Sequence, residues 1–315
     1  MAVSGKAKNR VAMIGYGSQG RALALNLRDS GYELLVGLRP RSKSRRMVSR
    51  DGQMAVMTIA RAVDEADIVC MAFPDHLHAR VYSSSIRKHL HPGQTLWFLH
   101  GMSVHFGLVH PRDDCDVILI APHAPGLAVR EKFLADRSIS AFYAVARNYS
   151  GRALQSVFRL AKASGFKRRR LIETTFEAEA VGDLFGEQAV LCGGLAALIK
   201  NGFEVLVANG LKPDHAYLEV AYQLDLIMNL IKRHGIEGML KRISVTARYG
   251  SLKAGPQIVD STVRRKMERI YAEIATGGFA ARLNHLSEKQ ISALNRSLGR
   301  LSHPDLEKAA KKFSR

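Results

Sequence analysis

Residues 10–28 run from a short apolar stretch, Arg10-Val-Ala-Met-Ile14, through Gly15-Tyr16-Gly17-Ser18-Gln19-Gly20 into the helix-like Arg21-Ala-Leu-Ala-Leu-Asn-Leu-Arg28. A G-x-G-x-x-G match set between a strand and a helix is the opening of a parallel βαβ unit that cradles a dinucleotide. Gly15 permits the tight turn, Gly17 lets backbone approach a pyrophosphate, and Gly20 allows close helix packing. The helix N-terminus then offers unpaired N–H groups to phosphate. Tyr16, Ser18 and Gln19 complete the candidate loop. A second strand over 33–38 ends where an enzyme for NAD(H) would place an acid on the adenosine ribose. The chain reads Gly37-Leu-Arg39-Pro-Arg41-Ser42-Lys43-Ser44-Arg45 instead. Cations and hydroxyls at Arg39, Ser42 and Ser44 suit a ribose 2′-phosphate, so NADP(H) is favoured over NAD(H); a solvated basic loop is the plain alternative.

Further apolar runs at 68–73, 95–99, 117–120 and 140–145 alternate with helix-like segments, which predicts a doubly wound α/β sheet. From Glu177 onward strand patterns vanish. Segments 191–207, 214–233 and 261–275 carry helical periodicity, so an all-α domain follows. The boundaries read as 1–177 for the dinucleotide-binding domain and 178–315 for the helical one. A chain of 315 residues with 47% hydrophobic content can bury the cores of two such domains. The expected setting is cytoplasmic, because no apolar stretch approaches the length of a membrane span and residues 1–10 lack the hydrophobic centre of a signal peptide. Cys70, Cys115 and Cys192 are widely spaced, with no CxxC, and predict reduced thiols rather than a disulfide framework or a zinc site. The 47 Lys+Arg against 28 Asp+Glu give +19. Basic residues cluster at 39–50, 167–170 and 264–269 with few aromatics between them, which disfavours nucleic acid and fits a field that draws in phosphorylated cofactor and a small anionic substrate.

In Asp183-Leu-Phe-Gly-Glu187 two carboxylates stand four residues apart at the start of a strongly helical stretch. Side chains at that spacing share a helix face and can present hard anionic oxygens to one cation, magnesium before others. An N-cap and a solvated glutamate would be the bland reading. Together with the glycine loop, His100-Gly101, Glu173-Thr-Thr-Phe176, Ala247-Arg-Tyr-Gly250 and His303-Pro304, this segment resembles the short-chain class of ketol-acid reductoisomerases, which use magnesium and NADPH. The resemblance implies a Rossmann-type domain followed by an all-α, knotted domain, and a homodimer whose sites are shared between chains. It places Pro74, Asp75 and His100 beside the nicotinamide. Asp183 and Glu187 match its first pair of metal ligands, Glu219 the first member of the second pair, and Ser244 a serine that binds substrate carboxylate.

Two chemical positions depart from the family pattern. Gln223 stands where the second pair has a glutamate, and a neutral amide should weaken a second magnesium. His123, in Ala121-Pro-His123-Ala-Pro-Gly126, replaces a lysine whose ammonium is permanently charged. Val245 and Arg248 also differ from the usual Ser-Asn-Thr-Ala-Glu-Tyr stretch. Alkyl migration needs paired metals and fixed charge, whereas hydride transfer needs a nicotinamide and one polarised carbonyl. The expectation is therefore a remodelled family member of specialised metabolism. A relative of this type builds a cyclopropanol from a sulfonium-bearing diol acid in a bacterial toxin pathway, and the departures here resemble that remodelling. The rival expectations are ordinary reductoisomerase activity on acetolactate and a cofactor-binding regulatory protein without chemistry.

Overall fold

Val11, Ala12, Met13 and Ile14 are almost wholly inaccessible, and the strand they form, β1 (Arg10–Ile14), lies inside an eight-stranded sheet. The computed structural model describes residues 10–314, so the expectation about a leader peptide falls on residues outside it, Arg10 excepted. Strands β2 (Glu33–Gly37), β3 (Ala55–Met57), β4 (Ile68–Met71), β5 (Thr95–Phe98), β6 (Asp116–Pro122), β7 (Ala141–Arg147) and β8 (Leu171–Glu173) complete the sheet in the order β3-β2-β1-β4-β5-β6-β7-β8. Strand order reverses between β1 and β4, which opens a crevice at their carboxyl ends.

Alternation along β1 feeds two cores. Val11 and Met13 pack with Leu23 and Leu27 of the helix Ser18–Asp29 and with Val157 and Leu160 of the helix Ala153–Ala163. Ala12 and Ile14 pack on the other face with Ala62 and Val63 of the helix Ile59–Glu65, and with Tyr82 and Ile86. Helices on both faces bury the central strands completely, and this is why those strands read as unbroken apolar runs rather than as alternating ones. The α/β class is as expected, with two additions. β3 and β8, three residues each, lie at the two sheet edges, and β7 pairs antiparallel with β6 while every other pairing is parallel.

The chain divides into two compact units. One runs to Gly182 and recovers Ala280–His285; the other comprises Asp183–Phe279 and Leu286–Arg315. The second unit has helices joined by short turns and no strand among its described residues. Two of its long helical runs widen for one turn: Gly186–Leu191 before the helix Gly193–Ala208, and Leu218–Tyr222 between the helices Pro213–Tyr217 and Leu224–Leu240. In the first, the Cys192 N–H donates to the Glu187 carbonyl five residues back. Such π-type turns cost regular hydrogen bonding and recur at functional positions. Gly235, at φ 71°, kinks the run Leu224–Leu240.

The expectation that no apolar stretch reaches span length is corrected here. The helical run Phe176–Ala208 covers 33 residues, with mean hydropathy 1.6 in its most apolar window, enough by length and composition to cross a membrane. Its window is 6% buried within the chain. Charges at Glu179, Asp183 and Glu187 divide the sequence to the eye, yet the segment beyond them is rich in glycine, alanine and leucine.

Candidate functional site

The glycine loop is shaped by what surrounds it. Gly15 sits at φ +94°, and a Cβ there would meet the Ala72 carbonyl oxygen at 2.5 Å. At Gly20 a Cβ would stand 3.0 Å from the Ala72 side chain, so the loop, the helix it opens and the end of β4 close against one another only without side chains. Nothing lies within 4 Å of a Cβ at Gly17, where backbone faces open space. The cleft beside it encloses about 240 Å³ and is walled by Gly15, Gly17, Arg39, Ser42, Ser44 and Pro74 among others. Ser42 turns back on its own loop, with its Oγ accepting from the Ser44 N–H at 3.3 Å. This ordered basic turn at the end of β2 fits the phosphate-bearing end of a dinucleotide. Gln19 supports the same fit. Its Nε2 donates to the Ala124 carbonyl at 2.6 Å, and its buried Oε1 has no hydrogen-bond partner among the described residues.

Tyr16 contributes differently from the expected cofactor contact. Its hydroxyl is directed at Asp51 on the helix Ser44–Asp51, donating at 2.8 Å, while Arg21 grips the same carboxylate through Nε at 2.7 Å. Those two donors, Arg21 foremost, hold the Asp51 carboxyl below its usual range; burial drives the Tyr16 phenol up. The phenol thereby fastens the glycine loop to the far end of the helix that follows the basic loop, and only the backbone and the ring wall of Tyr16 remain for the cleft.

At the ends of β4 and β5 the chain gathers Asp75, His100 and Glu179. The His100 Nδ1 lies 3.9 Å from the Asp75 carboxylate and its Nε2 lies 4.0 Å from Glu179. Glu179, 3% exposed, accepts from the Gly101 N–H at 2.5 Å. A Cβ at Gly101 would come within 2.3 Å of the Phe176 carbonyl, so glycine is what lets the segment Phe176–Phe185 approach. Sequence reasoning missed Glu179; the available signal was its place one turn before Asp183. His123 is exposed, with its ring edge-on to Phe142 at 4.3 Å.

In the helical unit Asp183 precedes the first widened turn and Glu187 lies inside it, while Glu219 lies inside the second and Gln223 closes it. All four are exposed. Asp183, Glu187 and Glu219 supply hard carboxylate oxygens that fit magnesium. Among the described residues these three do not converge within 4.8 Å of one another. The Gln223 Nε2 donates to the Leu218 carbonyl at 3.2 Å and lies 3.4 Å from the Glu219 carboxylate. Ser244 caps the helix Val245–Ile258, its Oγ accepting from the Ala247 N–H at 3.1 Å. The helix-terminal role is therefore realised, and the expected carboxylate contact would have to share that oxygen.

Two family profiles match almost the whole chain: "Acetohydroxy acid isomeroreductase, NADPH-binding domain" over residues 6–169 and "Ketol-acid reductoisomerase, C-terminal domain" over 176–314. The chain belongs to the ketol-acid reductoisomerase family. The "Ketol-acid reductoisomerase (NADP(+))" of Pyrobaculum neutrophilum is 48% identical over 270 residues, which cover 86% of this chain and 82% of the relative. The enzyme of the same name from Pyrococcus abyssi is 42% identical over 96% of this chain and 90% of its own length. A solved "NADH-preferring ketol-acid reductoisomerase from an uncultured archean" superposes with a TM-score of 0.91 at 35% identity, over 97% of this chain and 94% of that one.

Membership makes the protein an oxidoreductase of an NADP-dependent enzyme family, with a Rossmann-type unit followed by a reductoisomerase helical unit. It also decides which cavity matters. A larger one, about 730 Å³, opens beside Arg87, Lys88, His110, Arg112, Asp113 and Arg147. Its walls precede β5 and β6 or end the antiparallel β7, at the amino end of the parallel strands, whereas nucleotides of this fold bind at the carboxyl end. Arg112 is paired with Asp114 and the Leu90 carbonyl, and Arg147 with Asp113 and the carbonyls of Pro111 and Arg112.

Proposed function

We propose that this protein is an NADP(H)- and magnesium-dependent reductoisomerase-type enzyme for a small hydroxy- or keto-acid anion, in which hydride transfer is kept and alkyl migration is weakened or redirected. The observation that carries this reading is Gln223. Where a second carboxylate would charge the site, the chain has an amide that hydrogen-bonds its own helix and faces Glu219. Asp183, Glu187 and Glu219 would hold magnesium, whose chemistry is to polarise oxygen on the substrate. NADP(H) supplies or accepts the hydride.

The chain's own residues then take distinct parts. Gly15, Gly17 and Gly20 bring backbone to the pyrophosphate, and Arg39, Ser42 and Ser44 favour the 2′-phosphate over a free ribose hydroxyl. Pro74, Asp75 and His100 bound the nicotinamide end. Asp75 and Glu179 flank the His100 ring, one beside each ring nitrogen. His123 and Ser244 meet the substrate. Because the three metal carboxylates do not converge in one chain, and because the run Phe176–Ala208 is apolar yet hardly buried, we read the protein as a homodimer that completes shared, knotted sites. A protein interface rather than lipid covers that run, in keeping with a cytoplasmic enzyme.

Ordinary reductoisomerase activity on acetolactate is the second reading, and the names of the relatives favour it over remodelling. Cyclopropanol formation from a sulfonium-bearing diol acid rests on the resemblance alone and draws no support from those relatives. Incubation with NADP(H), Mg²⁺ and a panel of 2-keto, acetohydroxy and sulfonium diol acids, read by mass spectrometry, separates the three. Brisk conversion of acetolactate establishes the ordinary function and rejects remodelling. Turnover of another acid anion with acetolactate untouched supports remodelling. Absence of any cofactor-dependent product over the panel rejects the enzymatic reading in favour of the regulatory one.

A further inference from the structure

His78 is 2% exposed, carries no role in the chemistry described above, and makes two hydrogen bonds that join separate strand ends. Its Nε2 lies 2.9 Å from the Phe73 carbonyl, two residues past β4, and its Nδ1 lies 2.8 Å from the hydroxyl of Ser103, five residues past β5. A carbonyl oxygen can only accept. Nε2 therefore carries the proton, and a neutral ring leaves Nδ1 to accept from Ser103. Burial in an aromatic well, with Phe73 at 4.6 Å and Phe98 at 6.3 Å between ring centroids, lowers the imidazole's pKa and keeps it neutral.

The two tied segments hold Asp75 and His100. Asp75 lies between both histidines, its Oδ1 3.7 Å from His78 Nδ1 and 3.9 Å from His100 Nδ1. On either side of His78, Phe73, Pro74, Leu77 and Val81 line the cleft. β4 and β5 lie across the strand-order reversal from β2 and β3, so this tie belongs to the half of the fold that receives the second nucleotide, the nicotinamide half.

We propose that His78 is a positioning residue for the nicotinamide, a neutral bridge that fixes the spacing of the Pro74-Asp75 and His100-Gly101 segments. Without it the Phe73 carbonyl loses its donor and the buried Ser103 hydroxyl its acceptor, and each segment can settle independently. The proposal rests on the NADP(H) reading and concerns one end of that cofactor.

Its test compares NADPH with 2′,5′-ADP, which carries the 2′-phosphate adenosine but no nicotinamide. Calorimetric titrations use the full-length wild type, His78→Leu, Ser103→Ala and His78→Gln, with circular dichroism at the titration temperature to record the folded state. Glutamine is neutral and can donate to Phe73 while accepting from Ser103. We expect His78→Leu to weaken NADPH about tenfold and 2′,5′-ADP less than twofold, Ser103→Ala to act in the same sense, and His78→Gln to recover most of the loss. Equal weakening of both ligands, unchanged NADPH affinity in folded His78→Leu, or failure of a folded His78→Gln to recover overturns it. If His78→Leu does not fold, folded Ser103→Ala and His78→Gln decide by the same ratio. A wild type that binds neither ligand overturns the cofactor reading, and this proposal with it.

Discussion

Gln223 differs from a glutamate by one oxygen, and that oxygen decides how much negative charge the second widened turn can offer a cation. A carboxylate accepts only, whereas the amide donates, and here it donates into its own helix. Asp183, which is exposed, belongs to the first of the proposed ligand pairs. Asp183→Asn is expected to abolish turnover while changing the NADPH Kd less than about twofold, because the lost charge serves the metal and not the glycine loop. Activity unaffected by that change, or by exhaustive chelation of wild type, counts against the metal assignment. Arg39 and Ser42 give the matching prediction for the cofactor. Replacing both by alanine should weaken NADPH about tenfold or more and NADH little, since only NADPH carries the phosphate they can bind. Titration of both nucleotides measures it; an equal loss would mean that the loop acts by folding alone.

The helix Ser44–Asp51 is the element that joins the two cofactor loops, through one carboxylate. Asp51 takes a bond from Tyr16 and two from Arg21, and its side chain is 8% exposed. A folded pKa held below the unfolded one contributes stability that is present above the unfolded value and lost as pH falls through the folded one. Asp51→Asn should therefore cost about 1–3 kcal/mol near neutrality, toward the lower end because Arg21 is half-exposed, and progressively less below about pH 4. Urea unfolding of both proteins across that range measures the difference. A pH-independent loss would assign the effect to packing. Elements of this kind divide into those visible in the chain and those not. β1 and its glycine turn were legible because four buried positions in a row meet a turn that only glycine permits. β3 and β8 were not, since three residues at a sheet edge carry no periodicity to read. The antiparallel setting of β7 depends on its partner β6 rather than on its own residues. The widened turns at 186–191 and 218–222 leave the i, i+4 pattern almost unchanged, so the spacing of Asp183, Glu187 and Glu219 is legible in the chain while their backbone setting is not. Glu179 escaped because its role comes from Gly101, 78 residues away in the chain.

For the whole molecule, the contrast between the two units is one of burial. The Rossmann-type unit closes two cores around its sheet, while the helical unit leaves Leu191, Leu198, Val205, Leu226 and Leu252 exposed along its helices. Exposed apolar residues in that number fit the proposed homodimer. Sedimentation should give a dimer or a larger assembly, and Leu198→Glu with Val205→Glu should lower the assembly state and the activity together; a monomeric, active wild type would refute shared sites. In the proposed function, loss of fixed charge at His123 and Gln223 spares hydride transfer and impairs migration. The most direct measurement compares NADPH oxidation by the wild type on acetolactate with that on the already migrated 3-hydroxy-2-keto acid, which needs reduction alone. Reduction of the migrated acid is expected at least about 10²-fold faster than conversion of acetolactate, the scale of one lost electrostatic contact in a transition state, with the gap narrowed by His123→Lys combined with Gln223→Glu. Acetolactate consumed by the wild type as fast as the migrated acid would contradict it.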